Sequence, residues 1–472
     1  MPNKNIGHAS KNHENISEKI EAITLSSIRK VLPDKAIEDA CNASGYRHRQ
    51  RVITPIITVL HMILAAIWPE ESFAASWQIL WASFSSMFVE HSGKSPSLGS
   101  VAKARYRLPL EMWKRLFEWL SLQAQNLSQP FDKWNGHRVV LLDGSCVSMP
   151  DKADLFKEFG RATGYHGKCR YPLARLVVLC IAGTMTILDY ALGRYDQDEN
   201  SLAGPLLGKL RKGDLLLADR HFAAAHFYWY YQTMGLEFLT KAHQRLKISR
   251  VKPIESYSRY DFLGWLNINE TYRRKDPKLP AKIMVRFIRT LVSDRGRRKT
   301  VWLITSLLDG KLYPAKEIAL LYNRRWRIET LFAEVKINLS ADVLRSMCPQ
   351  AIRKEVAARL MAVNIVRMIM IEAAIEKGVD PIRISFVQAV RTILMFAPAL
   401  ACEPIWKLPE IYKVMLVEIG TNLVPERRGR NEPRAVTRER KHYPKLRTTR
   451  EQWRIAYAAW KCHSGQSRMA FP

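Results

Sequence analysis

Three acids stand where chemistry on a charged substrate is conceivable: Asp143, Asp219 and Glu329. Asp143 closes the apolar run 139–142, and Asp219 closes the run 214–218. Each run reads as a buried strand with an acid at its end, where a side chain enters the crevice that α/β folds use for their sites. Acids at strand ends also act as turn formers, so position alone leaves the role open. Glu329 belongs to a different pattern. Tyr322, Arg325, Glu329 and Lys336 are spaced so that a helix, at ~100° per residue, gathers them into one narrow stripe. Arg offers a fork and Lys a point charge to phosphate oxygens, while Tyr can stack on a base or donate to phosphate. An ordinary charged face with an Arg325–Glu329 pair has the same spacing. His221, two residues after Asp219, is either a metal neighbour or phosphate donor, or a structural residue. The sequence has no HExxH or other zinc spacing and no GxxxxGK[ST] loop, so neither a zinc site nor a nucleotide cofactor is expected.

The elements that must position these residues follow from periodicity. Residues 139–142, a hairpin of 176–181 and 184–188 about Ala182-Gly183, a helix over 201–210 and strands at 214–218 and 237–240 predict an α/β layer design. Residues 241–300 carry Arg250, Arg273, Arg274, Lys275, Arg295, Arg297 and Arg298 among short apolar runs such as 283–288, which predicts a β-rich insertion before 301–305 resumes a core strand. Pro314 opens a helix expected to run to about residue 337, and 351–374 predicts a second. Upstream, 1–15 reads as a flexible tail and 16–130 as short helices punctuated by Pro33, Pro55, Pro69, Pro96 and Pro109. Two basic clusters lie there: Arg47, Arg49 and Arg51 after Gly45, and Lys103, Arg105 and Arg107 after the turn 95–100. They suit a helical module reading a DNA groove, or a solvated helix face. The catalytic part is expected over 131–400. A basic C-terminal region occupies 401–472, its arm 427–454 suited to DNA backbone.

The balance of 74 Lys+Arg against 44 Asp+Glu over 472 residues leaves a formal charge of +30, while 47% hydrophobic residues indicate a folded chain. A disordered, collagenous or simple coiled-coil protein is thereby excluded, and the expected partner is a polyanion, nucleic acid first. The polar start lacks a signal-like run, and the longest apolar stretches, 52–68 and 176–188, fall short of a span of ~20 residues. The seven cysteines are scattered and form no CxxC. Reduced thiols, a cytoplasmic protein and no membrane partner are expected.

The spacing Tyr322-x2-Arg325-x3-Glu329-x6-Lys336 resembles, at all four positions, the Tyr-Arg-Glu-Lys signature of the insertion-sequence-four family of bacterial DDE transposases. Leu142-Asp143-Gly144-Ser145, with Ser148-Met149-Pro150-Asp151 just after, is similar to the family's first-aspartate motif. Ala218-Asp219-Arg220-His221-Phe222 is similar to its second, with His221 where a small residue or Gly is commoner. Arg105-Tyr106-Arg107-Leu108-Pro109 extends the likeness weakly toward the N-terminus.

The resemblance implies a ribonuclease H-like catalytic core interrupted by the β-rich insertion and preceded by an all-helical N-terminal DNA-binding domain. It implies that Asp143, Asp219 and Glu329 are the catalytic acids and hold two Mg2+ ions, or Mn2+ in their place, with Asp143 bridging. Tyr322, Arg325 and Lys336 would grip phosphates near the cleaved end, and Lys103, Arg105 and Arg107 would bind DNA further off. The implied activity is that of a transposase: binding the terminal inverted repeats of an insertion sequence, cleaving its ends and joining the 3′-OH to target DNA. Double-stranded DNA is the implied partner, bound by a homodimer. Where the family's ends pass through a hairpin with a base flipped onto an aromatic, Trp265, Trp302 and Trp326 are available here, although core positions suit them as well. A silent DNA-binding relic or repressor, and a stand-alone metal-dependent nuclease, are the other readings.

Overall fold

The computed structural model describes residues 26–48, 52–68, 72–84, 95–164, 167–169, 171–294, 297–339, 343–402, 404–425 and 450–463. The tail 1–15, Arg49, Arg51, Arg295 and most of the arm 427–454 lie outside the described residues. Helices come first: α1 (Ser26–Val31), α2 (Asp34–Ala43), α3 (Pro55–Ile67), α4 (Phe73–Phe84), α5 (Leu98–Arg107) and α6 (Leu110–Ser128). The starts of α3 and α5 are set by side-chain caps, Thr54 Oγ1 accepting from Ile57 N–H and Ser97 Oγ from Ser100 N–H.

A ten-stranded mixed sheet follows. Strand β1 (His137–Ser148) and helix α7 (Ala153–Phe159) precede β2 (Leu173–Ile181), β3 (Ile187–Arg194), α8 (Glu199–Leu206), β4 (Leu215–Ala218), α9 (Ala225–Thr233) and β5 (Glu237–Lys241). Then come β6 (Pro253–Ser258), β7 (Asp261–Asn267), α10 (Glu270–Lys275), β8 (Lys282–Asp294) and β9 (Arg297–Thr305). Their order across the sheet is β3-β2-β1-β4-β5-β9-β8-β7-β6, with a short strand at Lys133–Trp134 paired to the start of β1. β1, β4 and β5 are parallel and the remaining pairs antiparallel. Both faces are covered, which explains the continuous apolar run in β1. Val139 and Leu141 join one core, while Val140 and Leu142 join the other, beneath α8 and α9.

Three local expectations differ from the fold. β1 does not stop at Asp143. Its pairing with β4 ends at Leu142↔Ala218, but it continues along β2 to Ser148. The 241–300 segment is rich in strands, as its short apolar runs predict. Its strands extend the main sheet through the β9–β5 pairing, with Leu303 opposite Lys241. The hairpin between β2 and β3 turns with Met185 at φ +61°, and Gly183 is required for a different reason: a Cβ there would lie 1.7 Å from the Phe131 carbonyl oxygen. The helix from Pro314 is broken into α11 (Ala315–Asn323), a 3-10 turn (Arg324–Trp326), α12 (Arg327–Ala333) and a π turn (Glu334–Asn338).

Three helices close the main body: α13 (Pro349–Lys377), α14 (Phe386–Cys402) and α15 (Leu408–Thr421), followed by the separate α16 (Arg450–His463). α13 is buried along most of its length and packs on α3, α6, α14 and α15. A single apolar core therefore runs from the N-terminal helices through α13 to one face of the sheet. α15 buries Tyr412, Met415, Leu416 and Ile419, so part of the basic C-terminal region is built into that core.

Candidate active site

The parallel register pairs Leu142 with Ala218, and the residues that follow are Asp143 and Asp219. Neighbouring strands lie ~4.8 Å apart, so the two aspartates stand side by side where β4 leaves the sheet. Alternation points Asp143 to the same face as Val139 and Leu141, where α12 packs on β1. There Arg325, from the 3-10 turn, reaches Asp143 Oδ2 through Nη1 at 3.4 Å and Glu329 Oε1 through Nη2 at 3.7 Å. The two nitrogens belong to one planar guanidinium, so the carboxylates of Asp143 and Glu329 lie within about 10 Å of each other.

Burial pushes the Asp143 carboxyl up to about 6. The Gly144 N–H, donating to Oδ1 at 2.8 Å, and the Arg325 charge oppose that, while Asp219 and Glu199 add to it. Tyr322 is 1% exposed, and burial pushes its phenol well above the usual range. Its hydroxyl, Arg325 Nε, Asn323 Oδ1 and Trp326 Nε1 are buried without a hydrogen bond among the described residues. The Arg325 guanidinium also lies 4.7 Å from the Trp326 ring centre.

The expected stripe of Tyr322, Arg325, Glu329 and Lys336 is thus divided. The 3-10 turn advances faster than an α-helix and the π turn more slowly. Tyr322 and Arg325 point inward, the Glu329 side chain is 55% exposed, and Lys336 is half-buried in the π turn. Lys336 lies within electrostatic reach of the Cys146 thiol, which burial raises and which Arg175 and Lys336 pull down. The π turn is anchored by a buried ion pair between Glu334 and Arg367 and by Arg359 donating to the Leu339 carbonyl.

One acid beside the site has no signature in the sequence. Glu199, the first residue of α8, pairs with Arg175, and its carboxylate lies flat on Gly144 on the other face of β1. A Cβ at position 144 would come within 2.7 Å of it, which accounts for glycine there. An acid in the first turn of a helix reads as a partner of the helix dipole, so spacing could not single it out.

Away from the acids, Arg105 faces inward. Its guanidinium stacks 4.4 Å from the Phe73 ring and Nη2 donates to Ser346 Oγ at 3.5 Å. Lys103 and Arg107 are exposed, and Arg107 lines a cavity of about 300 Å³ with Tyr46, Arg47 and His48. Trp265 is 41% exposed on β7 with Lys282 Nζ 4.5 Å from its ring, and Trp302 packs edge-on to Phe262. His221 is exposed, and its carbonyl accepts from Asn200 Nδ2 at 3.2 Å.

Residues 134–365 match the transposase DDE domain family. Transposase InsG for insertion sequence element IS4 of Escherichia coli strain K12 is 26% identical over 356 residues, covering 73% of this chain and 77% of that one. Over that span, and in its Tyr322, Arg325, Glu329 and Lys336 spacing, the chain is similar to the insertion-sequence-four DDE transposases. InsZ of the same strain is 32% identical over 124 residues, 26% of this transposase and 42% of that protein. Among solved structures, the piggyBac transposase synaptic complex with hairpin DNA aligns over 84% of this chain and 85% of that one, at 10% identity and a TM-score of 0.41.

The protein is therefore an enzyme acting on DNA, and DDE domains depend on a divalent metal ion. Carboxylate oxygens are the right donors for a hard cation, and Asp143 beside Asp219 offers two of them. A guanidinium already placed against Asp143 and Glu329 shows that this space favours positive charge. The residues thus fit such an ion, although among the described residues no three ligating side chains stand close enough to share one. No helix of the described residues is long and apolar enough to cross a membrane.

Proposed function

We propose that this transposase binds the terminal inverted repeats of its insertion sequence, cuts the ends, and joins the freed 3′-OH to target DNA at the site of Asp143, Asp219 and Glu329. The observation that carries this reading is the juxtaposition of Asp143 and Asp219 in register, with Arg325 linking Asp143 to Glu329. The order β3-β2-β1-β4-β5, with β4 and β5 parallel to β1, supports a ribonuclease H-like core, and β6–β9 would be its insertion. The three acids would hold two Mg2+ ions, or Mn2+, which when bound supply activation of the attacking oxygen and stabilisation of the leaving one.

The chain's own residues would do the rest. Arg325 and Lys336 neutralise phosphate beside the acids, and Tyr322 shapes the buried wall behind them. Lys103 and Arg107, exposed on α5, would meet the DNA backbone, while Arg105 fixes that helix against Phe73 and Ser346. The +30 formal charge supports close approach of two DNA segments, the transposon end and the target. Synapsis of two ends would use a homodimer on DNA, in the cytoplasm.

The test is incubation with a labelled terminal-repeat duplex, a target plasmid and Mg2+. Wild type should nick the end and insert it, whereas Asp143→Asn, Asp219→Asn and Glu329→Gln should bind the duplex and give no product. Binding without cleavage by wild type would indicate a repressor, and cleavage without insertion a nuclease.

A further inference from the structure

Arg325 meets its carboxylates at longer range than the buried Arg138 and Arg286 meet theirs. Arg138 meets Asp214 with two bonds of 3.0 and 2.5 Å, and Arg286 meets Asp261 with two of 2.7 and 2.6 Å, as a charge-assisted fork should. Arg325 is as buried, at 7% side-chain exposure, yet spans two different carboxylates at 3.4 and 3.7 Å. Its Nε, like those of Arg359 and Arg367, makes no hydrogen bond among the described residues, but those two each pair closely with one carboxylate, Glu355 and Glu334, which Arg325 does not. A buried guanidinium with one nitrogen unsatisfied and two long contacts is poorly satisfied where it stands, and a better acceptor would move it. Phosphodiester oxygens are such acceptors.

We propose that Arg325 is an internal counter-cation that closes the acidic site in the DNA-free protein. In this position it separates Asp143 from Glu329 and occupies the charge balance that a divalent ion would otherwise provide. A backbone phosphate of the bound DNA draws the guanidinium off the two carboxylates and leaves them free to converge on the ion. Metal binding and DNA binding are then positively coupled, and the acids take up the ion once DNA is in place. The inference rests on reading Asp143, Asp219 and Glu329 as the metal-binding acids.

The test is a Mn2+ titration of the full chain, with free ion read by electron paramagnetic resonance, with and without a terminal-repeat duplex. In wild type the duplex should tighten Mn2+ binding roughly tenfold or more, and Mn2+ should tighten duplex binding by the same factor. Arg325→Gln should bind Mn2+ without DNA about as tightly as wild type does with it, and adding DNA should change little. Arg325→Lys keeps the buried charge but loses the fork, and should fall between the two. Glu329→Gln should abolish the gain in the Arg325→Gln background, placing the ion at this site. If wild type with DNA binds Mn2+ but DNA-free Arg325→Gln and Arg325→Lys bind it no better than DNA-free wild type, the counter-cation role is wrong. If wild type binds no Mn2+ even with the duplex, the acids are not the metal site and the proposal fails with them.

Discussion

The π turn that carries Lys336 hangs on one buried ion pair, Glu334 with Arg367, whose side chains are 9% and 5% exposed. Arg367→Met removes the cation and leaves the carboxylate in the core. Breaking a buried pair from one side costs about 3–5 kcal/mol, because the remaining charge is uncompensated. The sign of the pH dependence follows from the direction of the shift. Burial already pushes the Glu334 carboxyl up and Arg367 pulls it back, so removing Arg367 raises it further. An acid raised on folding binds its proton more readily in the folded state, so the variant's deficit should be largest at neutral pH and shrink as pH falls toward the ordinary carboxylate range. Replacing both partners by apolar residues, Glu334→Leu with Arg367→Met, removes the stranded charge and should return stability to within about 1 kcal/mol of wild type. Urea unfolding of the four proteins as a double-mutant cycle measures the coupling. Additive losses, or a single-variant loss independent of pH, would refute the view that this pair holds the turn.

Other positions give independent outcomes. Burial between Phe73 and Trp77 lowers His61 to about 4, so the folded state keeps it neutral. Stability should be full above its ordinary value near 6.5 and fall by at most about 3 kcal/mol as pH drops from there to 4, and His61→Gln should flatten that slope in pH-dependent melting. Gly183→Ala places a Cβ on the Phe131 carbonyl and should destabilise by about 1–3 kcal/mol or more in chemical denaturation. Lys103→Ala and Arg107→Ala should each weaken duplex binding uniformly across sequences and reduce the salt slope in anisotropy titrations by about 1. Arg105→Ala should instead lower the melting temperature, because its partners are Phe73 and Ser346.

Residues 139–142 were readable as a strand because both faces of β1 are buried and the run is wholly apolar. The same strand's continuation through Gly144-Ser145-Cys146 was invisible, since small and polar residues carry no period. Asp143 and Asp219 could each be placed beside an apolar run. Their adjacency is a matter of register between strands whose paired residues, such as Leu142 and Ala218, are far apart in the chain, which no local pattern encodes. The stripe around Glu329 assumed a constant α-helical advance, and the 3-10 and π turns change it by amounts that hydrophobic spacing does not reveal. The turn expected at 95–100 overlaps the start of α5, which Ser97 caps, and Pro109 marks the start of α6, because caps and proline act locally. That the N-terminal helices share a core with α13 and the sheet depends on contacts between residues hundreds of positions apart.

The most direct measurement of the central claim is a metal-specificity switch at the acids. Asp143→Cys, Asp219→Cys and Glu329→Cys replace a hard oxygen donor by a softer thiolate, which disfavours Mg2+ more than Mn2+. End cleavage with Mg2+ should be lost in all three, and Mn2+ should restore a measurable part of it in at least one, with duplex affinity unchanged. Full Mg2+-dependent cleavage by any of the three would contradict the assignment of that carboxylate as a metal-holding group.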